Sequence, residues 1–196
     1  MVFVGLTGGI GSGKSEALAA AKRLGAAVLS SDAVVHDLLG TPEIRDLLHE
    51  RWGDRVVKHD QVDRGAVAQI VFERPDELRW LEGSLFPRVG ERVAAWRDDV
   101  AQEGVDLAVV EVPLLFEAGI EGIFDATIAV VSDEALRAER AATRDHEGLA
   151  GREGRQLNQE QKASRADYVV RNDGTLADLE QAMADVLERI RHRAAA

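Results

Sequence analysis

The 196-residue chain is long enough to bury a core of its own and suits one domain with room for a small inserted subdomain. Hydrophobic residues make up 45% and charged residues 30%, which excludes a disordered chain, while a formal net charge of -11 excludes a general nucleic-acid binder, whose affinity comes from a basic surface. With no cysteine there is neither a disulfide nor a thiolate metal site, as suits a reducing compartment.

Val2 to Leu6 is a short apolar run rich in β-branched and aromatic residues and predicts a strand leading into a glycine-rich loop. No basic stretch precedes it, and a glycine loop stands where a signal-peptide cleavage site would fall. No apolar stretch nears the roughly 20 residues of a membrane-crossing helix. The expectation is a cytoplasmic protein with no membrane partner. Apolar spacing from Lys14 to Leu24, closed by Gly25, predicts the first helix. Ala26 to Leu29 reads as a second strand, and Ser30-Ser31-Asp32 offers caps for a helix from Ala33 to Leu39, closed by Gly40. Thr41 caps a helix that opens at Pro42 and reaches about Trp52.

Residues 41 to 104 contain no clear buried strand. Arg64 to Phe72, Pro75 to Leu81 and Leu85 to Gln102 show helical spacing, with Pro75 and Pro87 marking breaks or starts. Trp52, Trp80 and Trp96 stand at helical positions as core anchors of the insertion. Leu107 to Val112 and Ala126 to Val131 are nearly continuous apolar runs, as in strands covered on both faces, and Tyr168 to Val170 supplies a shorter fifth. Helical patterns cover Asp133 to Arg144 and Leu176 to Arg191. The alternation predicts an α/β fold of three layers around a five-stranded parallel sheet. Its core is residues 1–40 and 105–196, with a helical insertion at 41–104. Asp145 to Gln161, polar and without an apolar stripe, is a loop or lid.

Gly8-Gly9-Ile10-Gly11-Ser12-Gly13-Lys14-Ser15 matches G-x-x-x-x-G-K-[ST] between a predicted strand and a predicted helix. Glycines let the backbone wrap and turn its N–H groups inward, where they join the helix N-terminus in a concave anion site. Lys14 then reaches the β- and γ-phosphates of a nucleoside triphosphate and the Ser15 hydroxyl ligates Mg²⁺. A glycine turn that binds nothing would have no use for Lys and Ser at these positions.

Transfer of the phosphate to a hydroxyl needs a carboxylate for the proton and cations for the charge. Asp32 directly follows the second strand, on the edge of the sheet that carries the phosphate loop; it reads either as that base or as a helix cap. Arg137, Arg140 and Arg144 share one helix face, followed by Arg152, Arg155, Lys162 and Arg165. Any single one of these reads first as a solvated partner of Glu134 or Glu139, whereas the cluster as a whole, in this place, reads as more than decoration. Glu111 reads as a rim charge, and Glu117 as either a rim charge or a contact to the metal's water shell or the acceptor. His36 and His59 have no second ligand at metal spacing.

Leu6-Thr7-Gly8-Gly9-Ile10-Gly11-Ser12-Gly13-Lys14-Ser15, the Asp32 strand end, Pro113-Leu114-Leu115-Phe116-Glu117, the Arg140 helix and Asn172-Asp173-Gly174 together resemble dephospho-CoA kinase over essentially the whole chain. The resemblance implies a P-loop kinase fold in which residues 41–104 bind the acceptor and 145–161 form a lid. It implies ATP with Mg²⁺ and 3′-dephospho-CoA as partners, and phosphorylation of the ribose 3′-hydroxyl, the last step of coenzyme A synthesis. Lys14, Asp32 and Arg140 would be catalytic. The nucleotide would meet Gly8, Gly9, Ile10, Gly11, Ser12, Gly13, Lys14, Ser15, Glu16, Arg144, Asn172 and Gly174, with Ser15 on the metal and Asn172 and Gly174 near the adenine. Three positions depart from the pattern. Glu16 replaces the usual Thr and is expected to point away from the phosphates; Ser30 replaces an Asp, and Phe86 replaces a His before Pro87. The alternatives are another P-loop nucleoside or nucleotide kinase, or a nucleotide switch, although no Asn-Lys-x-Asp guanine-reading motif is present.

Overall fold

A computed structural model of the chain describes residues 1–142 and 156–195. Strands β1 (Val2–Gly8), β2 (Ala27–Ser30), β5 (Leu107–Glu111), β6 (Ala126–Val131) and β7 (Tyr168–Arg171) form a parallel sheet in the order β2-β5-β1-β6-β7. The register sets Leu6 between Glu111 and Ile128, so β1 lies at the centre with all carboxyl ends at one edge. In open parallel sheets ligands bind outside that edge, where the connections after neighbouring strands diverge.

Apolar runs explain the layers. Val4, Leu6, Leu107, Val109, Ile128 and Val130 face α1 (Lys14–Arg23) and the last helix, α8 (Leu176–Ala195), through Ala17, Ala20, Ala21, Leu179, Met183 and Leu187. On the other face Phe3 stacks on Phe124 at 4.9 Å and the Arg97 guanidinium covers the Phe3 ring. Gly5 is a close approach there: a Cβ would strike Leu115 and Phe124.

The described residues divide into two compact units. Residues 1–31, 95–142 and 156–195 form the sheet unit, and Asp32–Ala94 form a mainly helical one. The helical unit comprises most of α2 (Ser31–Leu39), α3 (Pro42–Trp52), α4 (Arg64–Glu73) and the first part of α5 (Pro75–Gln102). Thr41 caps α3 as expected, its hydroxyl accepting from the Ile44 N–H at 3.4 Å, and Asp63 caps α4. Within this unit Trp52 and Trp80 meet edge to face at 5.2 Å, while Trp96 belongs to the sheet unit. Glu77, 3% exposed, accepts from Arg51 Nε and Trp52 Nε1 and pairs with Arg74; the Arg51 bond, first among these, holds its pKa below the usual carboxylate value.

Three local expectations are corrected. Pro87 breaks nothing: α5 runs through it without interruption. Pro87 and Gly83 are both exposed, so the helix carries the donor missing at Pro87 on a face open to water. A two-residue hairpin, β3 (Val57–Lys58) with β4 (Gln61–Val62), stands in the supposed all-helical stretch, turning through His59 and Asp60 at φ 49 and 65. Helix α7 (Gln159–Arg165) begins inside the stretch read as a loop, opened by a capping box between Asn158 and Gln161. From Glu134 to Ala195 the described elements are α6 (Glu134–Ala142), α7, β7 and α8. No helix among the described residues is long and apolar enough to cross a membrane.

Candidate active site

Strand β1 delivers Gly8 to the head of α1 and the chain between them closes into a loop. Gly11 and Gly13 adopt φ 75 and 90, the left-handed region glycine favours. Space demands glycine as well. A Cβ on Gly8 would meet the Val130 carbonyl and Ser12 hydroxyl, one on Gly11 the Arg137 carbonyl, and one on Gly13 the Asn172 amide. The Ser12 N–H donates to the Gly9 carbonyl at 3.2 Å, and Lys14 Nζ, nearly buried, donates to the same carbonyl at 2.9 Å. The Ser12 hydroxyl is fully buried with no hydrogen-bond partner among the described residues. An orphaned hydroxyl beside helix-terminal N–H groups and an ammonium fits a phosphate oxygen. Ser15 is exposed in the first turn of α1. Glu16, also exposed, lines a groove between α1 and α8 with Arg23 and Glu180.

Helix α6 and the turn after β7 brace this loop. Arg137 Nε donates to the Ile10 carbonyl at 3.1 Å while its Nη1 pairs with Glu134 at 2.8 Å. Arg140 Nη1 donates to Ser132 Oγ and to the Asn172 carbonyl. Asn172, 6% exposed, donates its amide to the Ser12 carbonyl at 2.9 Å. Two arginines of the predicted face therefore act on backbone carbonyls around the loop. Arg144, Arg152 and Arg155 lie outside the described residues, as do residues 145–155 of the stretch read as a lid.

Asn172-Asp173-Gly174 is a turn with its own fastenings. Asp173 accepts from the Asp133 N–H at 2.6 Å, and that bond, with Arg171, holds its carboxyl below the usual range. A Cβ on Gly174 would meet the Asp178 carboxylate, which accepts from both the N–H and the hydroxyl of Thr175 to open α8.

The exit of β5 holds an arrangement the sequence did not disclose. Lys162, wholly buried, donates to the Pro113 carbonyl at 2.6 Å, to Glu117 Oε1 at 2.8 Å and to Thr7 Oγ1 at 3.4 Å. Glu117 Oε1 also accepts from the Leu157 N–H, while its Oε2 is buried without a partner among the described residues. Burial pushes the Lys162 pKa down and Glu117 pushes it partly back. So Glu117 is an internal counter-ion, and Lys162 belongs to the interior and not to a solvated basic face. Glu111, read as a rim charge, is buried at 7% exposure because it ends a central strand paired on both sides. Helix α2 opens at Ser31, which puts Asp32 inside its first turn and removes the cap reading. Among the described residues no group of three or more His, Asp or Glu side chains could hold a metal ion.

A parallel sheet with β1 central, and a G-x-x-x-x-G-K-S loop between β1 and α1, define a P-loop kinase fold. The family model for dephospho-CoA kinase matches residues 2–178, and the chain belongs to that family. A dephospho-CoA kinase of Moorella thermoacetica is 36% identical over 190 residues, 95% of this chain and 89% of the relative. One from Protochlamydia amoebophila is 34% identical over 194 residues, covering 96% of each. The crystal structure of TT1252 from Thermus thermophilus superposes with a TM-score of 0.78 at 33% identity, covering 96% of this chain and 97% of that one.

Proposed function

We propose that this chain transfers the γ-phosphoryl group of ATP to the ribose 3′-hydroxyl of 3′-dephospho-CoA, giving CoA and ADP, the last step of coenzyme A synthesis. The observation that carries the reading is the phosphate loop: glycines fixed by dihedral and by space, a buried orphan hydroxyl on Ser12 and the Lys14 ammonium, in a chain that belongs to the dephospho-CoA kinase family.

In the reaction the bond between the γ-phosphorus and the β,γ-bridging oxygen breaks, and a bond from the acceptor oxygen to that phosphorus forms. The residues from Gly8 to Ser15, with the backbone of Glu16, hold the triphosphate, and Lys14 neutralises charge on its β- and γ-oxygens. The exposed Ser15 hydroxyl is the ligand this chain offers Mg²⁺, which when bound with ATP screens the phosphate charge. Asp32, two residues beyond the carboxyl end of β2, takes the proton of the acceptor hydroxyl. Arg140, fixed by Ser132 and Asn172, supplies positive charge from α6, and Arg144 is a second cation for the nucleotide. The turn Asn172–Gly174 stands toward the adenine, and the helical unit takes the acceptor. The cytoplasm is the compartment where we place the reaction.

The test is an acceptor panel. Purified protein with Mg-ATP should form ADP far faster with dephospho-CoA than with nucleosides or nucleoside monophosphates, and the reverse ranking would overturn the proposal.

A further inference from the structure

No cis peptide is present among the described residues, and in a trans peptide the carbonyl and the following N–H point to opposite sides. A donor that captures a loop carbonyl therefore aims the next N–H away from itself. Asn172 Nδ2 captures the Ser12 carbonyl at 2.9 Å, so the Gly13 N–H is directed away from Asn172. Arg137 Nε does the same at Ile10, directing the Gly11 N–H. The two glycines whose N–H groups are steered are the two within the phosphate loop with left-handed φ, so the side-chain tethers and the backbone conformation specify one loop shape.

Asn172 is itself immobilised. Its N–H donates to the Val131 carbonyl at 2.9 Å, and its own carbonyl accepts from Ser132 Oγ at 2.9 Å and from Arg140 Nη1 at 3.0 Å. Its amide fills the space a Cβ on Gly13 would require. A rigid donor locked to the sheet on one side and to the phosphate loop on the other has the geometry of a strut.

We infer that Asn172 is a positioning residue for phosphoryl transfer: its side-chain amide holds the Ser12 carbonyl so that the Gly13 N–H points at the phosphates. Its side chain thus serves the phosphates and not the base. The inference rests on the ATP reading above and deepens it.

Titration calorimetry with Mg²⁺ and three probes, ATP, GTP and inorganic tripolyphosphate, separates the roles. In Asn172→Ala the affinities for ATP and for base-free tripolyphosphate should fall together, by about tenfold to a hundredfold, because one charge-assisted N–H contact is misaimed. The ratio of ATP to GTP affinity should stay that of the wild type, and the KM for ATP should rise by the same factor. Unchanged tripolyphosphate affinity, or a collapsed ATP preference with tripolyphosphate binding retained, would overturn the assignment. Should Asn172→Ala fail to fold, Arg137→Met carries the same test through Ile10 and must weaken tripolyphosphate; wild-type affinity there overturns the tether argument. A wild-type protein that takes up no Mg-ATP would instead remove the nucleotide reading itself.

Discussion

Replacing Lys162 with methionine removes a cation of nearly equal length from a site with no solvent access. Three hydrogen bonds go with it, to Pro113, Glu117 and Thr7. The larger loss is at Glu117, whose carboxylate would keep only the Leu157 N–H, since its Oε2 already lacks a donor among the described residues. Two effects oppose each other. Burial holds the Lys162 pKa down, so its ammonium is not fully compensated and its removal recovers some desolvation energy. Leaving a carboxylate buried and unpaired costs more, about 3–5 kcal/mol by comparison with other broken buried pairs. At this chain length each kcal/mol shifts the midpoint by about 2–4 °C, so the melting temperature should drop by roughly 6–20 °C. Adding Glu117→Gln neutralises the orphan charge and should restore about half the loss or more. Scanning calorimetry with urea denaturation at neutral pH reads both variants. A Lys162→Met protein within about 1 kcal/mol of wild type, or a double variant no more stable than the single one, would refute the reasoning.

Lys14→Ala should lower kcat/KM for ATP by about a hundredfold to a thousandfold with an unperturbed melting curve; steady-state kinetics beside thermal denaturation would expose a merely structural role. Asp32→Asn should abolish most turnover yet leave calorimetric ATP affinity close to wild type, and near-normal turnover would leave Asp32 as a first-turn carboxylate only. Stability should also fall on the acid side. Thr175 holds the Asp178 pKa down, and the Asp133 N–H does so for Asp173. Carboxylates with depressed folded values contribute stability that is present above about pH 4 and is lost as pH falls through the folded values, because there the unfolded chain binds more protons. Asp178→Asn should therefore lower the melting temperature at pH 7 and flatten its fall between about pH 5 and pH 3; an unaltered acid slope would contradict the assignment.

What the sequence revealed depended on range. The central strands β1, β5 and β6 are buried and carried near-continuous apolar runs, the partly buried edge strands β2 and β7 carried shorter ones, and the phosphate loop announced itself because glycine, lysine and serine recur at fixed spacing for a backbone reason. Thr41-Pro42 was equally readable, since cap and first-turn proline are local chemistry. The hairpin at residues 57–62 escaped because His59 and Asp60 stand where Asn-Gly would advertise a turn with two positive φ values. Helix α7 does have a local signal, Asn158 followed three residues later by Gln161, but no apolar stripe behind it marks a helix. Pro87 misled because the penalty of a helical proline is small where the missing donor falls on a face open to water. The Lys162–Glu117 pair and the Asn172–Ser12 tether join residues 45 and 160 positions apart, and no local pattern encodes such a contact.

The destination of the phosphate defines the reaction. ³¹P NMR of the product formed from Mg-ATP and dephospho-CoA should show a new phosphomonoester on the ribose 3′-oxygen, in amounts equal to the ADP released. Release of inorganic phosphate with the acceptor unchanged, or a phosphate on any other oxygen, would contradict it.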